Sequence, residues 1–140
     1  LAYDWLRADR RFGRIDVMGR SLGSGLAVYV ASQRAVGHVV LSTPYDSIQA
    51  VAQRQYPCFW IGPLLRHPFD SLALAAKIRA PALFLLAEAD TLIPPEPHAQ
   101  RLFQAWGGAK VWQMLLGVNH HDVIDHPAYW SRVAAFLDAG

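Results

Sequence analysis

The sequence has little cysteine and no long apolar run. With a single cysteine, Cys58, the chain cannot form an internal disulfide, which favours a reducing compartment such as the cytoplasm without fixing the location. We expect Cys58 to be a small packing residue rather than a reactive thiol. No stretch reaches the roughly 18 apolar residues of a membrane-spanning helix, and the first residues lack the features of a signal peptide. These absences are typical of a soluble globular protein.

Blocks of one charge are also missing. The 13 Lys and Arg residues and the 11 Asp and Glu residues are interspersed, and the formal net charge is +2. Nucleic-acid binding needs a concentrated basic stripe, so we expect no nucleic-acid partner. The glycine-rich segment at residues 19–25 has no lysine after its glycines and lacks the third glycine of a dinucleotide fingerprint. A P-loop and a Rossmann-type site are therefore excluded, and no cofactor is implied.

Apolar runs alternate with helical patterns along the chain. At 140 residues the chain is long enough for a single domain with a sizeable core. Strands that alternate with helices indicate an α/β protein, in which a parallel sheet has helices on both faces. We predict strands at 15–18, 36–41, 82–87 and 110–116, and helices at the start of the chain and at 22–33, 96–106 and 127–139.

Residues 44–80 interrupt this alternation. They contain four prolines and several aromatic residues but no strand-like run. We expect a short helical insertion over the end of the sheet where parallel strands present their ligand-binding loops. Its aromatic residues Tyr45, Tyr56 and Trp60 are candidates for substrate binding. A structural connection that buries its own aromatic residues explains the pattern equally well.

The segment 19–23, Gly-Arg-Ser-Leu-Gly, lies between a predicted strand and a predicted helix. In a nucleophile elbow, serine occupies a strained turn from strand to helix, and the flanking residues must be small so that the two elements can approach. Gly19, Gly23 and Gly25 meet that requirement. Ser21 is therefore the candidate nucleophile.

A serine hydroxyl needs a base within hydrogen-bonding distance and a third group that orients the base. Both should follow later strands, because the carboxyl ends of parallel strands meet at one edge of the sheet. Asp90 follows the third predicted strand, with Glu88 as a rival acid, and His120 and His121 follow the fourth. The sequence therefore predicts a site built from Ser21, Asp90 and one of these two histidines.

A metal site is the alternative at the same place. Adjacent side chains usually point apart, so we expect no metal site, and metal-dependent hydrolysis remains the rival reaction. Activity that survives Ser21→Ala but not a chelator would support it. The potential ligands are His120, His121, Asp122, Asp125 and His126. The remaining histidines, for which we expect surface or packing roles, are His38, His67 and His98.

The order serine, aspartate, histidine resembles the α/β-hydrolase superfamily across essentially the whole chain. Segments 19–25, 56–66, 69–71 and 119–122 resemble the short-cap alpha/beta hydrolase domain-containing serine hydrolases, a group with Bem-like and serine aminopeptidase-like members. The resemblance implies the carboxyl-terminal half of such a hydrolase, with 44–80 as a cap-like insertion in a domain of residues 1–140. In those relatives Asn-Asp commonly follows the catalytic histidine, which favours His120 over His121 as the base.

The resemblance implies a serine hydrolase that cleaves an ester, thioester or amide bond of a small acyl substrate through an acyl-enzyme. Ser21 would be the nucleophile, and the backbone N–H of Leu22 an oxyanion donor. The alternative is a non-catalytic binding or scaffold protein with an incomplete oxyanion hole, because family members usually begin with further strands and a loop that supplies a second donor. If these 140 residues are the whole product, we expect self-association through the exposed edge of strand 15–18.

Overall fold

Four parallel strands form the centre of the molecule, as seen in a computed structural model that describes residues 2–9, 11–58 and 69–139. The strands are β1 (Val17–Arg20), β2 (Val39–Ser42), β3 (Ala82–Ala87) and β4 (Lys110–Leu115). The helices are α1 (Ala2–Ala8), α2 (Leu22–Gln33), α3 (Ile48–Gln55), α4 (Ser71–Ala75), α5 (Gln100–Ala105) and α6 (Tyr129–Asp138). A short turn at Pro95–Ala99 leads into α5, and a single 3-10 turn at Val123–Asp125 precedes α6.

The strands follow one another across the sheet in the order β1-β2-β3-β4. Val39 of β2 pairs with Val17 on one side and with Ala82 on the other, and Ala82 pairs in turn with Lys110. All carboxyl ends therefore lie at one edge of the sheet. β1 and β4 occupy opposite sides, so a contact between their following loops must cross the ends of β2 and β3.

Successive side chains of β2 and β3 point to opposite faces of the sheet and build two apolar clusters. Leu41 and Phe84 pack with residues of α2, α4 and α5 on one face. Val40 and Leu83 pack with residues of α6 on the other. Both strands are almost fully buried, which explains their near-continuous apolar sequences. The predicted class, a parallel sheet with helices on both faces, is confirmed.

The first two strands lie later in the sequence than predicted. β1 covers 17–20 rather than 15–18, and β2 covers 39–42 rather than 36–41. Asp16 accepts a hydrogen bond from the backbone N–H of His38 at 2.8 Å, so a side chain joins the two segments before the ladder starts. At the other end, Arg20 and Ser42 extend the strands with polar residues that apolar patterning does not detect.

The helix predicted at 96–106 is regular only from Gln100. Pro95 and Pro97 lack the N–H donor of an α-helical turn, which accounts for the irregular backbone before it. The final helix begins at Tyr129 rather than 127. None of the helices in the described ranges is both long and apolar enough to cross a membrane.

The segment 44–80 contains two helices and no strand in its described parts, 44–58 and 69–80. The Ser47 hydroxyl accepts from the N–H of Ala50 and caps α3, and the Asp70 carboxylate accepts from the N–H of Ala73 and caps α4. Cys58 is exposed, so our expectation that it packs in the interior is wrong.

Candidate active site

Ser21 lies in a sharp turn between β1 and α2. Its backbone has φ 52° and ψ −124°, a conformation that residues other than glycine rarely adopt. The Ser21 N–H donates to the Ser42 carbonyl at 2.9 Å, and the Ser21 carbonyl accepts from the N–H and hydroxyl of Ser24 at 2.9 and 2.7 Å. These bonds hold the strained turn at the carboxyl edge of the sheet.

Close packing requires small residues at two of the three glycine positions, at Gly19 between β1 and α2 and at Gly25 between α2 and Tyr45. A Cβ atom at Gly19 would lie 2.6 Å from the carbonyl carbon of Gly23 and 2.8 Å from Cα of Ser24. A Cβ at Gly25 would lie 2.8 Å from Cζ of Tyr45. A Cβ at Gly23 would have no described atom within 4 Å. Packing therefore demands glycine at 19 and 25, and our expectation for Gly23 is wrong.

His120 reaches Ser21 from the loop that follows β4, residues 116–122, which we call the His120 loop. The Nε2 atom of His120 lies 2.8 Å from Oγ of Ser21, and the Nδ1 atom of His120 lies 2.7 Å from Oδ2 of Asp90. The side chains of His120 and Asp90 are buried, whereas Ser21 is half-buried. The structure thus joins the three candidate residues in one hydrogen-bonded chain whose serine is partly exposed to solvent.

Asp90 is held by the backbone of its own loop. Its Oδ1 atom accepts from the N–H groups of Leu92 and Ile93 at 3.0 and 2.8 Å, which leaves Oδ2 directed at His120. The rival acid, Glu88, accepts instead from the backbone N–H of Gly117 at 2.9 Å. Of the two acids, Asp90 is therefore the one that contacts His120.

The second histidine of the tandem is oriented differently. His121 is exposed, and its ring meets that of His120 edge-on with centroids 5.6 Å apart. No group of three or more His, Cys, Asp or Glu side chains in the described part of the chain is arranged to hold a metal ion. The potential ligands at residues 120–126 are close in sequence but do not converge.

The predicted oxyanion donor opens helix α2. Leu22 is the first residue of that helix, where backbone N–H groups have no acceptor within the helix. Its side chain is exposed beside Ser21. A helix N-terminus is also the favourable end of the helix dipole for a developing negative charge.

The three candidate substrate-binding aromatic residues have different outcomes. Tyr45 is fully buried, and its hydroxyl donates to the Leu22 carbonyl at 3.2 Å. It therefore supports the start of α2 from the interior and offers no exposed surface to a bound molecule. Burial raises the pKa of its hydroxyl to about 12. Tyr56 is 60% exposed at the end of α3, and Trp60 lies outside the described residues.

Sequence reasoning missed a second aspartate–histidine pair. The Nδ1 atom of His98 lies 2.8 Å from Oδ1 of Asp46, and both side chains are buried. Burial alone would raise the pKa of Asp46, but hydrogen bonds from His98, the Ser47 N–H and Arg101 outweigh it and lower that pKa. The pair joins the loop after β2 to the turn before α5. No local pattern links the two residues, since they lie 52 positions apart.

Surface or packing roles are also expected for His38 and His67. His38 is buried and its Nδ1 atom lies 3.3 Å from Asp16, in keeping with a packing role. His67 lies outside the described residues.

Proteins of similar sequence are found in Mycobacterium tuberculosis and Saccharomyces cerevisiae. No family model matches the chain. An uncharacterized protein of Mycobacterium tuberculosis is 32% identical over 140 residues, which cover 97% of this chain and 50% of that protein. An uncharacterized membrane protein of Saccharomyces cerevisiae is 29% identical, over 89% of this chain and 45% of its own length. The chain thus spans about half the length of the curated relatives that it matches.

Solved structures show the same arrangement of strands and helices. An acetyl xylan esterase from Paenibacillus sp. R4 superposes with a TM-score of 0.80 at 19% identity, over 99% of this chain and 49% of the esterase. A Paleococcus ferrophilus monoacylglycerol lipase gives a TM-score of 0.66 at 19% identity, over 98% of this chain and 71% of the lipase. A Pyrococcus horikoshii acylaminoacyl peptidase gives 0.71 at 14% identity, over 98% of this chain and 25% of the peptidase. The chain has the α/β-hydrolase fold.

Proposed function

We propose that the chain carries the catalytic centre of a serine hydrolase, which cleaves an ester, thioester or amide bond through an acyl-enzyme. The observation that carries this proposal is the hydrogen-bonded chain from Ser21 through His120 to Asp90, with heavy-atom distances of 2.8 and 2.7 Å. Ser21, His120 and Asp90 all lie at one edge of the sheet, where they would serve as nucleophile, base and orienting acid. The strained backbone of Ser21 is a second, independent support.

Proton transfer follows from the hydrogen-bonding capacity of each group. A carboxylate can only accept, so a neutral His120 donates from Nδ1 to Asp90 and accepts the Ser21 hydroxyl proton at Nε2. As Ser21 Oγ forms a bond to the substrate carbonyl carbon, that proton passes to His120. The imidazolium then protonates the leaving oxygen, sulfur or nitrogen as its bond to the carbonyl carbon breaks.

The second half of the reaction repeats these steps with water. His120 removes a proton from a water molecule as its oxygen attacks the acyl carbon. The proton returns to Ser21 Oγ when the ester bond to the enzyme breaks, and the acid product leaves. Asp90 keeps the imidazole in the required tautomer and stabilises its charged form without itself taking the proton.

The carbonyl oxygen becomes negatively charged in both halves. The backbone N–H of Leu22, in the first turn of α2, would donate to that oxygen, and the helix dipole would favour the charge. A single donor of this kind is typically worth about 10²- to 10³-fold in rate.

The substrate would be a small acyl compound. The proteins of similar structure are esterases, lipases and peptidases. The finer resemblance, to the Bem-like and serine aminopeptidase-like short-cap group, rests on segments 19–25, 56–66, 69–71 and 119–122. Residues 44–80 would act as a cap-like insertion within one domain of residues 1–140. In that insertion, Tyr56 is 60% exposed and would be available for contact with an acyl or leaving group.

Labelling with a fluorophosphonate tests the proposal. The reagent phosphonylates an activated serine, so intact mass should increase by one adduct per chain, and peptide mapping should place the adduct on Ser21. Ser21→Ala should remove it. Ser32→Ala is the matched control, because Ser32 lies on the same helix near its other end and donates to the Tyr29 carbonyl. Absence of an adduct on a folded chain would overturn the proposal and favour the non-catalytic alternative.

A further inference from the structure

The candidate base reaches the nucleophile across the full width of the described sheet. Ser21 follows β1 and His120 follows β4, which lie at opposite edges with β2 and β3 between them. At a strand spacing of about 4.8 Å, β1 and β4 are about 14 Å apart. The His120 loop therefore extends over the strand ends, and the 2.8 Å contact depends on how the far end of that loop is held.

The near part of the loop is anchored to the segment after β3. The Gly117 N–H donates to the Glu88 carboxylate at 2.9 Å, and the Val118 carbonyl accepts from the Ala89 N–H at 2.9 Å. The Asp122 carboxylate accepts from both the N–H and the side-chain amide of Asn119, which shapes the loop internally. None of these bonds reaches β1.

The far end is joined to β1 by Arg20, the residue immediately before Ser21. Its Nη2 atom donates to the His120 carbonyl at 2.8 Å and to the His121 carbonyl at 3.1 Å. Arg20 thus holds the backbone of His120, while the following residue, Ser21, presents its hydroxyl to the His120 ring. We propose that Arg20 is a positioning residue, which fixes the distance between His120 and Ser21 by tying the His120 loop to the nucleophile strand.

This inference rests on the proposed serine-hydrolase function for its kinetic consequence but not for its geometry. Arg20 would not touch the substrate or take a proton. It would act through the placement of His120. A misplacement of about 1 Å at a catalytic group can cost about 10²-fold in rate, which sets the scale of the expected effect.

The stability of the fold should be separable from this role. The Nε atom of Arg20 is buried and has no acceptor in the described part of the chain. Arg20→Met removes this unsatisfied donor, and the two carbonyls that lose their Arg20 bond lie in the partly exposed His120 loop, where water can replace the donor, so we expect a small change in stability. Arg20→Met is therefore suited to test positioning without unfolding the chain.

The kinetic experiment compares Arg20→Met with Arg79→Met. Arg79 lies between α4 and β3 and also donates to a backbone carbonyl, that of Gly107 at 3.1 Å. It is therefore a matched control. We expect fluorophosphonate labelling of Ser21 and kcat for p-nitrophenyl acetate to fall about 10²-fold in Arg20→Met, with KM nearly unchanged. Arg79→Met should match the wild type. Added methylguanidinium should restore part of the activity of Arg20→Ala, because it can reoccupy the donor position.

A spectroscopic measurement tests the same inference without activity. The Nδ1 proton of His120, shared with Asp90, should give a low-field NMR resonance in the wild type and in Arg79→Met. Movement of the His120 loop in Arg20→Met should shift or broaden it. If the wild type neither labels nor hydrolyses esters, the proposed function fails while this resonance still tests Arg20. If Arg20→Met matches the wild type in labelling, turnover and this resonance, the positioning role of Arg20 is overturned, whereas the proposed function is not.

Discussion

Gly19→Ala is expected to destabilise the fold and disable the Ser21 site together, through one added methyl group. The new Cβ would meet the backbone of α2: the carbonyl oxygen and carbon of Gly23 and the Cα atom of Ser24. Backbone cannot rotate away as a flexible side chain can, so β1 and α2 would have to separate by several tenths of an ångström or more. That separation would also displace Ser21, which joins the two elements.

The size of the effect can be estimated from packing. Overpacking a well-filled interior usually costs about 1–3 kcal/mol, and because the contacts are with backbone we place this change at about 3 kcal/mol. For a chain of 140 residues, an unfolding entropy of about 2.1 cal/mol/K per residue gives about 0.3 kcal/mol/K. The melting temperature should therefore fall by about 10 °C.

Gly23→Ala is the matched comparison, because Gly23 lies on α2 at the place where α2 approaches Gly19 of β1. Its Cβ would meet no described atom within 4 Å, and alanine is favoured over glycine inside a helix by about 0.5–1 kcal/mol. We expect an unchanged or slightly raised melting temperature. Calorimetry and tryptophan fluorescence measure both variants, and fluorophosphonate labelling reports the site. If Gly19→Ala melts with the wild type, or Gly23→Ala is the more damaging change, the packing argument is refuted.

Three further changes test individual contacts. Asp90→Asn should lower kcat about 10⁴-fold with little loss of folding, because an amide holds His120 in the wrong tautomer; near-wild-type kcat would contradict its role. Asp46→Asn should cost about 1–3 kcal/mol in urea unfolding. Since folding lowers the Asp46 pKa from 3.8, the wild type's advantage should be complete above that value and shrink as the pH falls below it. Tyr45→Phe should lose about 1 kcal/mol with its bond to Leu22. Folding raises the Tyr45 pKa from 10.0 to about 12, so the wild type should lose stability as the pH rises from 10.0 to about 12. Tyr45→Phe should lose less over the same pH range, and unfolding at alkaline pH measures the difference.

The sequence predicts best where one local signal determines the structure. The continuous apolar run at 82–87 coincides with β3, and the small-residue run at 22–33 coincides with α2. β3 is buried along its whole length, and α2 buries one face with Ala27, Val28 and Ala31 in the core. The ends of β1 and β2 were missed because polar residues, Arg20 and Ser42, finish those strands at the edge where the site lies.

Local sequence patterns do not predict contacts between residues that lie far apart in the chain, and such contacts shape the site. Arg20 and the His120 carbonyl are 100 residues apart, and their meeting depends on the strand order and on the path of one loop over the sheet. Asp46 and His98 likewise join two loops through burial that no spacing predicts. The structure brings together Ser21 and Asp90, which the motif and the order of elements indicated, and His120, which the family resemblance favoured over His121. Their catalytic roles stay predictions until labelling and kinetics test them.

The outer edge of β1 leads to a last prediction. β1 pairs with β2 on one side, and no strand in the described ranges pairs with its other side. Met18 and Leu26 beside this edge are 43% and 52% exposed. An unpaired strand with apolar neighbours favours pairing with another copy, so a polypeptide of these 140 residues alone should self-associate.

Light scattering after size-exclusion chromatography measures this association, and a charged edge residue should prevent it. Met18→Lys places a cation where a second strand would pack, and should shift the chain to monomer. Val111→Lys makes the same kind of change on β4, at the opposite edge, where the valine is 40% exposed, and should leave the association intact. A monomeric wild type would refute the edge argument. Dispersal by Val111→Lys instead of Met18→Lys would place the contact at β4, because a lysine interferes only where the strands of two copies meet.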